Sequence, residues 1–396
     1  MFETLQRLPA DPILKLIVDF AKDTNPYKVD LGVGIYKEES GQTPVLASVK
    51  AAEARVIAAQ QTKAYIGPAG NPDTNEAVET LLLGNHPVIR DGRVVTFQTP
   101  GGSGALRVGA ELINRSKAHT NVWVSIPSWG NHLPMMANAG LGLKEYPYYN
   151  FDTKRIDFDA MMSCLQQIPA GEVVLLHACC HNPCGADLTH EQWQDVCSIM
   201  TERGLIPFID LAYQGLSEGL EQDAYGPRLL AESVPEMLLA ASCSKNFGLY
   251  RERTGSISII SAQAGQTPTA ASQLASITRG LYSMPPSHGS SIVATILKDA
   301  ELKQRWETEL AEMRNRLNTI RCTLVDKLAA RGVSRDFSFI AEQRGMFSFL
   351  GLTAEQVNLL ANQYSIYMVD SSRICIAGVN QQNIDYICDS LAAVLG

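Results

Sequence analysis

A lysine with hydroxyl side chains and an arginine close by is the part of this chain best suited to chemistry. Lys245 follows the apolar run 237–241 and the polar residues Ser242 and Ser244, and Arg253 lies a short distance beyond it. Short apolar runs bounded by small and polar residues are typical of buried strands. A lysine at the end of such a strand can serve as a Schiff-base amine, because partial desolvation and nearby positive charge lower its pKa. The hydroxyls and Arg253 are suitable donors to a phosphate.

The alternative is that Lys245 is an ordinary exposed loop lysine, because lysine side chains are almost never fully buried. The choice between the two interpretations depends on which other groups the fold brings beside it. From residue 93 onward strand-like runs alternate with helical stretches, which predicts an α/β fold with a mostly parallel, doubly wound sheet. The predicted strands are 93–99, 122–126, 142–148, 172–178, 205–210, 237–242 and 256–260, and the clearest helices are 105–114 and 190–203.

In an open sheet of this kind, ligands bind beyond the carboxyl ends of the strands. The first of these ends carries a glycine-rich turn, 100–104, that contains Gly102 and Ser103 and leads into a predicted helix. Backbone amides at a helix N-terminus favour a phosphate. Taken by itself, a glycine turn before a helix is more often merely a tight connection.

Other strand ends carry side chains that suit a flat heterocycle. Trp129 can stack on a planar ring, although a lone tryptophan is more often part of a core. Asp210 ends an apolar strand just before Tyr213, and such a carboxylate is costly unless it has a charged partner, for example a protonated pyridine nitrogen. A helix cap or a structural ion pair is the alternative for Asp210. With Lys245 and the glycine turn, these groups are the parts needed to bind pyridoxal phosphate (PLP).

The run 177–184 is rich in cysteine and histidine and invites comparison with a zinc site. Structural zinc sites usually combine two separated pairs of ligands, and the sequence offers no second pair. We therefore predict no metal site.

The sequence resembles the class I PLP-dependent aminotransferases, in the aspartate and aromatic amino acid aminotransferase group, over essentially its whole length. The segments that carry the resemblance most specifically are LGVGIYKEESGQTPVL (31–46), TKAYIGPAG (62–70), TPGGSGALRVGA (99–110), VWVSIPSWGNH (122–132), HNPCGADLT (181–189), FIDLAYQG (208–215), SCSKNFGLYRERTG (242–255), LYSMPPSHG (281–289), QRGMFSF (343–349) and SSRICIAG (371–378). The resemblance implies fold type I, with a large domain and a smaller α+β domain.

The sequence pattern also indicates two lobes. After Gly332 short strands at 346–349, 366–369 and 374–377 flank the helices 354–363 and 381–394. Residues 29–36 predict a strand broken by glycines, and Asp11 followed by Pro12 predicts a helix start. We predict an N-terminal arm at 1–11, a small domain formed by 12–43 and 313–396, and a large PLP-binding domain at 44–312.

The resemblance implies a role for each matching residue around the cofactor. Lys245 would carry PLP as an imine and shuttle the proton. Asp210 would pair with the pyridine nitrogen, with His132 behind the cofactor. Tyr213 and Asn182 would hold the 3′ oxygen, and Trp129 would lie over the ring. The phosphate would be bound by Gly102, Ser103, Ser242, Arg253 and Tyr65, the last from the neighbouring subunit of a homodimer with shared active sites.

The resemblance also implies how the amino acid and 2-oxo acid substrates are bound. Arg373 would clamp the α-carboxylate, assisted by Asn182, Trp129 and the Gly34 backbone. Arg279, again from the neighbouring subunit, would meet the distal carboxylate of a dicarboxylic substrate. A planar guanidinium suits either carboxylate, because two parallel charge-assisted bonds fix its orientation.

The residues expected around the substrate combine features of two branches of the group. Lys37 and Thr43 resemble the aspartate-preferring branch, whereas Ser103 resembles the aromatic branch. The apolar residues that add to this mixture are Ile35, Ala64 and Met284. We therefore expect an aminotransferase that moves amino groups between an aromatic amino acid or aspartate and 2-oxoglutarate by a ping-pong mechanism. The alternatives are a strict aspartate aminotransferase, or a PLP-dependent lyase or decarboxylase, against which Arg279 and Arg373 argue together.

Composition narrows the classes of protein and of partner. The chain has 396 residues, of which 45% are hydrophobic and 19% are charged, as in globular proteins of two lobes. A net charge of −8 without a basic block argues against nucleic acid. Apolar runs stay shorter than a membrane span, so we expect no membrane association. The nine cysteines, an odd number scattered through apolar segments, favour reduced thiols in a cytoplasmic protein.

Overall fold

A computed structural model of the chain describes residues 1–7 and 12–396. The chain divides into two compact units, one formed by Pro44–Arg316 and the other by Met1–Thr43 together with Leu317–Gly396. The predicted helix cap at Asp11 and residues 8–10 of the predicted arm lie outside the described residues. The division into an arm, a small domain and a large domain stays a prediction.

Strands and helices alternate through most of the described chain. The strands are β1 (Val29–Asp30), β2 (Val94–Pro100), β3 (Asn121–Ile126), β4 (Gly142–Pro147), β5 (Tyr149–Asn150), β6 (Arg155–Ile156), β7 (Val173–His177), β8 (Ile206–Leu211), β9 (Met237–Ser242), β10 (Thr254–Ile260), β11 (Phe347–Phe349), β12 (Ile366–Tyr367) and β13 (Arg373–Cys375). The helices are α1 (Pro12–Lys22), α2 (Ala47–Ala59), α3 (Pro72–Leu83), α4 (Pro87–Arg90), α5 (Gly101–Ser116), α6 (His132–Asn138), α7 (Phe158–Leu165), α8 (His190–Arg203), α9 (Leu220–Asp223), α10 (Tyr225–Ser233), α11 (Thr267–Leu281), α12 (His288–Lys298), α13 (Ala300–Ala330), α14 (Phe339–Glu342), α15 (Ala354–Tyr364) and α16 (Ile384–Leu395). Short 3₁₀ helices are formed by Phe2–Thr4, Ala264–Gln266 and Ile376–Gly378.

The unit Pro44–Arg316 is built on a seven-stranded sheet with the order β2-β10-β9-β8-β7-β3-β4. Only β10 runs against its neighbours, and the other pairs are parallel, which confirms the prediction of a mostly parallel α/β sheet. Strands β9 and β10 are buried along their whole lengths, as expected where both faces of a sheet are covered.

Helix α5 packs on this sheet through a small residue. A Cβ atom on Gly109 would lie 2.5 Å from Cζ of Phe208, so the helix approaches the β8 ring at a distance that only glycine permits. The same helix corrects a prediction, because it begins at Gly101 rather than at residue 105. The glycine turn is therefore the first turn of the helix itself.

The other unit contains two small sheets, in which β1 pairs with β12 and β11 pairs with β13. The strand predicted over 29–36 is wrong beyond Asp30. The Asp30 carboxylate accepts the amides of Gly32 and Val33 at 2.9 and 3.2 Å, and this turn ends the strand. No helix within the described residues has both the length and the apolar character needed to cross a membrane.

Candidate active site

A buried carboxylate at the carboxyl edge of the sheet is paired with a histidine. Asp210 lies near the end of β8, and its Oδ2 is 2.9 Å from Nε2 of His132, the first residue of α6. Burial by itself would raise the pKa of Asp210, but the hydrogen bond from His132 and the positive groups nearby hold this pKa below its usual value. Asp210 is therefore an anion that can face a cation.

The histidine is in turn oriented by two partly buried side chains. His132 Nδ1 is 2.9 Å from the Ser128 hydroxyl, which lies 3.1 Å from Nε2 of His177. Burial and the charge of His132 lower the pKa of His177 to about 3, so that His177 is neutral at neutral pH. His132 Nε2 donates to the Asp210 carboxylate, which can only accept, and the Ser128 hydroxyl hydrogen-bonds both histidine rings. These contacts orient the His132 ring toward the carboxylate.

Lys245 lies in the turn that follows β9 and is partly buried. Its Nζ is 4.8 Å from the centroid of the Tyr213 ring, which is itself buried. Burial lowers the pKa of Lys245, Asp210 opposes this effect, and Arg253 adds to it. The net lowering makes the neutral, nucleophilic amine more accessible than in an exposed lysine.

The first turn of α5 forms a cradle with residues of β9 and the following loop. A Cβ atom on Gly101 would lie 2.5 Å from the Arg253 guanidinium, and one on Gly102 would lie 3.0 Å from Cβ of Ser242. Arg253 also lies 3.4 Å from the Ser244 hydroxyl. No side chain among the described residues caps this helix N-terminus, so its amides point to the cradle without a capping partner. Glycine amides, a hydroxyl and a guanidinium are the donor set that suits a phosphate.

Three more predicted residues lie in the same unit. The Trp129 ring packs edge-on against His132, with 5.3 Å between the ring centroids. Asn182 is buried in the connection that follows β7, and Ser103 belongs to the first turn of α5. The donors, the carboxylate, the phenol and the amine together fit PLP, whose phosphate, ring nitrogen, 3′ oxygen and aldehyde need these groups.

Tyr65 and Arg279 stand apart from the cradle in the single chain. Tyr65 is 91% exposed, and the exposed Arg279 hydrogen-bonds to Ser283 of its own segment. Among the described residues, neither contacts Lys245 or Arg253. Their assignment to a neighbouring subunit stays a prediction.

Arg373 lies in β13, in the unit that includes Leu317–Gly396, and is only 7% exposed. Its Nη2 donates to the Gly32 carbonyl at 2.8 Å, and its guanidinium lies 4.5 Å from the centroid of the Phe347 ring. A Cβ atom on Gly34 would lie 2.7 Å from Cζ of Phe347, so Gly34 is required for this packing. Gly34 and Arg373 thus lie against the same ring, Gly34 at its Cζ tip and the Arg373 guanidinium over its face.

Sequence reasoning missed the roles of His177 and Phe347. His177 is the last residue of β7, and it lies in register with Asp210, so the rule about strand ends could have identified it. The cysteine-rich run belongs to the same cluster, because the ring centroids of His181 and His177 are 4.0 Å apart, and His181 also lies 3.1 Å from the Cys184 sulfur. Phe347 gave no comparable signal, since its contact with Arg373 depends on strand pairing.

The chain is similar to known proteins of one family. Residues 26–391 match the family model for aminotransferase class I and II. The aspartate aminotransferase of Haemophilus influenzae is 46% identical over 100% of both chains. The aromatic-amino-acid aminotransferase of Pseudomonas aeruginosa is 43% identical over 99% of this chain and 98% of its own. A crystal structure of the aromatic-amino-acid aminotransferase from Burkholderia pseudomallei, covalently bound to pyridoxal phosphate, has a TM-score of 0.98 at 43% identity, covering 100% of each chain.

These matches extend over the whole chain and agree with a lysine that lies beside a phosphate cradle and a buried carboxylate. The chain therefore belongs to the class I and II aminotransferases and, like its relatives, is a PLP-dependent transaminase.

Proposed function

We propose that this aminotransferase exchanges amino groups between aromatic amino acids or aspartate and 2-oxoglutarate, by a ping-pong mechanism. Relatives named for aspartate and for aromatic amino acids are similarly close to it, at 46% and 43% identity. The observation that carries the catalytic part of the proposal is the buried Asp210–His132 pair, 2.9 Å apart, in the same sheet edge as the partly buried Lys245.

The proposed roles around the cofactor follow from the chemistry of these side chains. Bound PLP supplies an electron-withdrawing ring that stabilises negative charge on the substrate carbon. Asp210 keeps the ring nitrogen protonated. The Lys245 amine would hold the cofactor, and it would carry the proton to and from the substrate Cα. Tyr213 and Asn182 hold the 3′ oxygen, and Trp129 covers one face of the ring.

The proposed phosphate contacts come from the cradle at the start of α5. Gly102 and Ser103 donate through backbone amides and a hydroxyl, and Ser242 and Arg253 donate from the opposite side. Tyr65 completes this set from the partner of a homodimer. Its 91% exposure in one chain leaves the side chain available to a partner subunit.

Two arginines are proposed to bind the substrate carboxylates. Arg373 binds the α-carboxylate, with help from Asn182, Trp129 and the Gly34 backbone. Arg279 of the partner subunit binds the distal carboxylate of aspartate or glutamate. Its exposed position at the end of α11 in one chain is compatible with that role.

Free cysteines at all nine positions support a reducing, cytoplasmic location.

The experiment that tests this function is a series of single-turnover half-reactions. The purified PLP-bound protein is mixed with aspartate, glutamate, tyrosine or phenylalanine, and the change in cofactor absorbance is followed. Conversion by both aspartate and phenylalanine is expected. Conversion by aspartate and glutamate alone would establish the strict aspartate aminotransferase instead. Release of ammonia or carbon dioxide with catalytic turnover would favour a lyase or a decarboxylase.

A further inference from the structure

A completely buried arginine lies in the same unit as Arg373. Arg321 belongs to α13, and burying its guanidinium is costly unless its N–H groups have partners. It has several. Its nitrogens donate to Ile340 O at 3.0 Å, Arg344 O at 3.0 Å, Gly345 O at 2.8 Å, Phe347 O at 2.7 Å and Ser348 Oγ at 2.7 Å.

These bonds fix the connection between α14 and β11 and the first two residues of that strand. The Ser348 hydroxyl, which accepts from Arg321, donates to Gln343 Oε1 at 2.6 Å. This bond joins β11 to the connection that precedes it. A planar fork of five donors can serve carbonyl groups that point from different directions, which a lysine ammonium cannot do. Arg321 is therefore the anchor of β11.

Strand β11 in turn holds Arg373. Phe349 of β11 pairs with Arg373 of β13, and the ring of Phe347 lies under the Arg373 guanidinium at 4.5 Å. The tip of that ring lies against Gly34, where even a methyl group would be 2.7 Å from Phe347 Cζ. The close contact with Gly34 limits movement of the ring in one direction, and any other shift of Phe347 would change its contact with Arg373.

We propose that Arg321 is a positioning residue that orients Arg373, through Phe347, for binding the α-carboxylate of every substrate. The inference rests on the proposed role of Arg373. Bidentate recognition of a carboxylate demands a fixed plane for the guanidinium, and a small displacement is costly there. Arg321 therefore acts on substrate affinity rather than on the reacting atoms.

The test measures binding of substrate analogues that lack an amino group. Titration calorimetry on the PLP-bound protein uses 3-phenylpropionate, the analogue of phenylalanine, and succinate, the analogue of aspartate. For Arg321→Lys we expect Kd to rise about tenfold for both compounds, because a misplaced group can cost up to ~10²-fold. The covalent attachment of PLP, measured by borohydride trapping, is expected to be unchanged.

A matched control separates positioning from general loss of stability. Leu360 is completely buried in α15 of the same unit, and Leu360→Ala should lower the unfolding temperature without changing either Kd. Ser348→Ala is a milder change that removes one partner of Arg321 and should raise both Kd values about threefold, as expected for one modest hydrogen bond. It keeps the test available if Arg321→Lys does not fold.

A double-mutant cycle tests the route through Phe347. In a Phe347→Leu background, Arg321→Lys should cost much less affinity than in the wild type. Full additivity, unchanged Kd in Arg321→Lys and Ser348→Ala, or an equal loss in Leu360→Ala would overturn the inference. Arg373→Ala is the reference, because unchanged binding in that variant would refute the proposed role of Arg373 itself.

Discussion

At the scale of single residues, the site depends on groups whose charges are set by their neighbours. Asp210 is held as an anion by His132, and Lys245 is shifted toward the neutral amine by burial. These opposite shifts arise within one sheet edge and suit two roles, a permanent counter-ion and a proton carrier. A change to either residue should therefore alter a different step.

Asp210→Asn keeps the shape of the side chain and removes its charge. We expect this variant to bind PLP, because the cradle is intact, but to remove the proton from the substrate Cα about 10²–10³-fold more slowly, the usual cost of losing one preorganised electrostatic group. Stopped-flow absorbance in the half-reaction with glutamate measures this rate. Near-normal rates would refute the proposed role of Asp210.

Arg279 and Arg373 should differ in which substrates they affect. Arg279→Ala is expected to lower kcat/KM for aspartate by about 3 kcal/mol of lost pairing. Phenylalanine should lose far less, because its ring needs no cation and a long arginine stem can turn its head toward water. Arg373→Ala should harm both substrates alike, since each has an α-carboxylate. Equal losses on changing Arg279 would contradict a switchable arginine.

At the scale of elements, the beginning of α5 is the proposed site for the phosphate. Gly101 has φ of +71°, and a Cβ atom there would lie 2.5 Å from the Arg253 guanidinium, so any side chain would be strained and would clash with Arg253. The first turn of α5 therefore faces β9 and β10 with backbone that carries no side chain. A single methyl group at Gly101 would disturb both the backbone conformation and the space beside Arg253.

Gly101→Ala should therefore weaken PLP binding. Strain at a positive φ costs on the order of 1–3 kcal/mol, and the backbone would relieve part of it by moving away from the conformation that forms the cradle. The measurement is the Kd for PLP by absorbance titration of the apoprotein. Gly332→Ala is the matched control, because Gly332 has a φ of +72° and a Cβ atom there meets nothing within 4 Å. Equal PLP affinity in both variants would show that the cradle does not bind the phosphate.

Elements also show what could be predicted from the sequence. Strand β9 and helix α8 were predicted to the residue, because apolar runs and a capping pair of Thr189 with Gln192 mark their ends clearly. The predicted start of α5 is four residues late, because glycines are poor helix formers and three of them lie in the first turn of this helix. The candidate residues at the strand ends are predicted by one rule, that ligands of an open α/β sheet bind beyond the carboxyl ends of its strands.

The contacts that orient those residues could not be predicted from periodicity. Ser128 hydrogen-bonds both His132 and His177, and Arg321 hydrogen-bonds the Phe347 carbonyl. These contacts depend on packing in three dimensions rather than on spacing in the sequence. A buried arginine is expected to be rare, so position in a helix pattern gives no reason to assign it a function. Such supporting groups emerge only with the three-dimensional structure.

At the scale of the whole molecule, the buried histidines affect stability in acid. The pKa of His177 is lowered to about 3 by burial and by His132, whereas an unfolded histidine has a pKa near its usual value of about 6.5. Between these two pKa values, His177 is protonated in the unfolded chain and neutral in the folded chain. The stability contributed by the neutral ring is therefore present above pH 6.5 and is lost as the pH falls toward 3.

Replacing His177 should make unfolding less sensitive to acid. A single histidine of this kind contributes a slope of up to about 1.4 kcal/mol per pH unit within that window. For His177→Asn we expect a shallower fall of the urea midpoint between pH 6.5 and 4 than for the wild type. Parallel curves for the two proteins would contradict the assignment.

The reversed direction of β10 has a consequence for how the cofactor is captured. Because β9 ends and β10 begins at the same edge, Lys245 and Arg253 belong to one short loop, 243–253, and no crossover separates them. A parallel β10 would have required Arg253 to start from the far edge, about 20 Å away for a strand of this length. In the proposed site, a phosphate bound by Arg253 would lie close to Lys245, because both side chains come from one loop, and the second contact would form at an effective concentration of about millimolar or above. The two contacts together would hold PLP at free concentrations far below those that either contact alone would require.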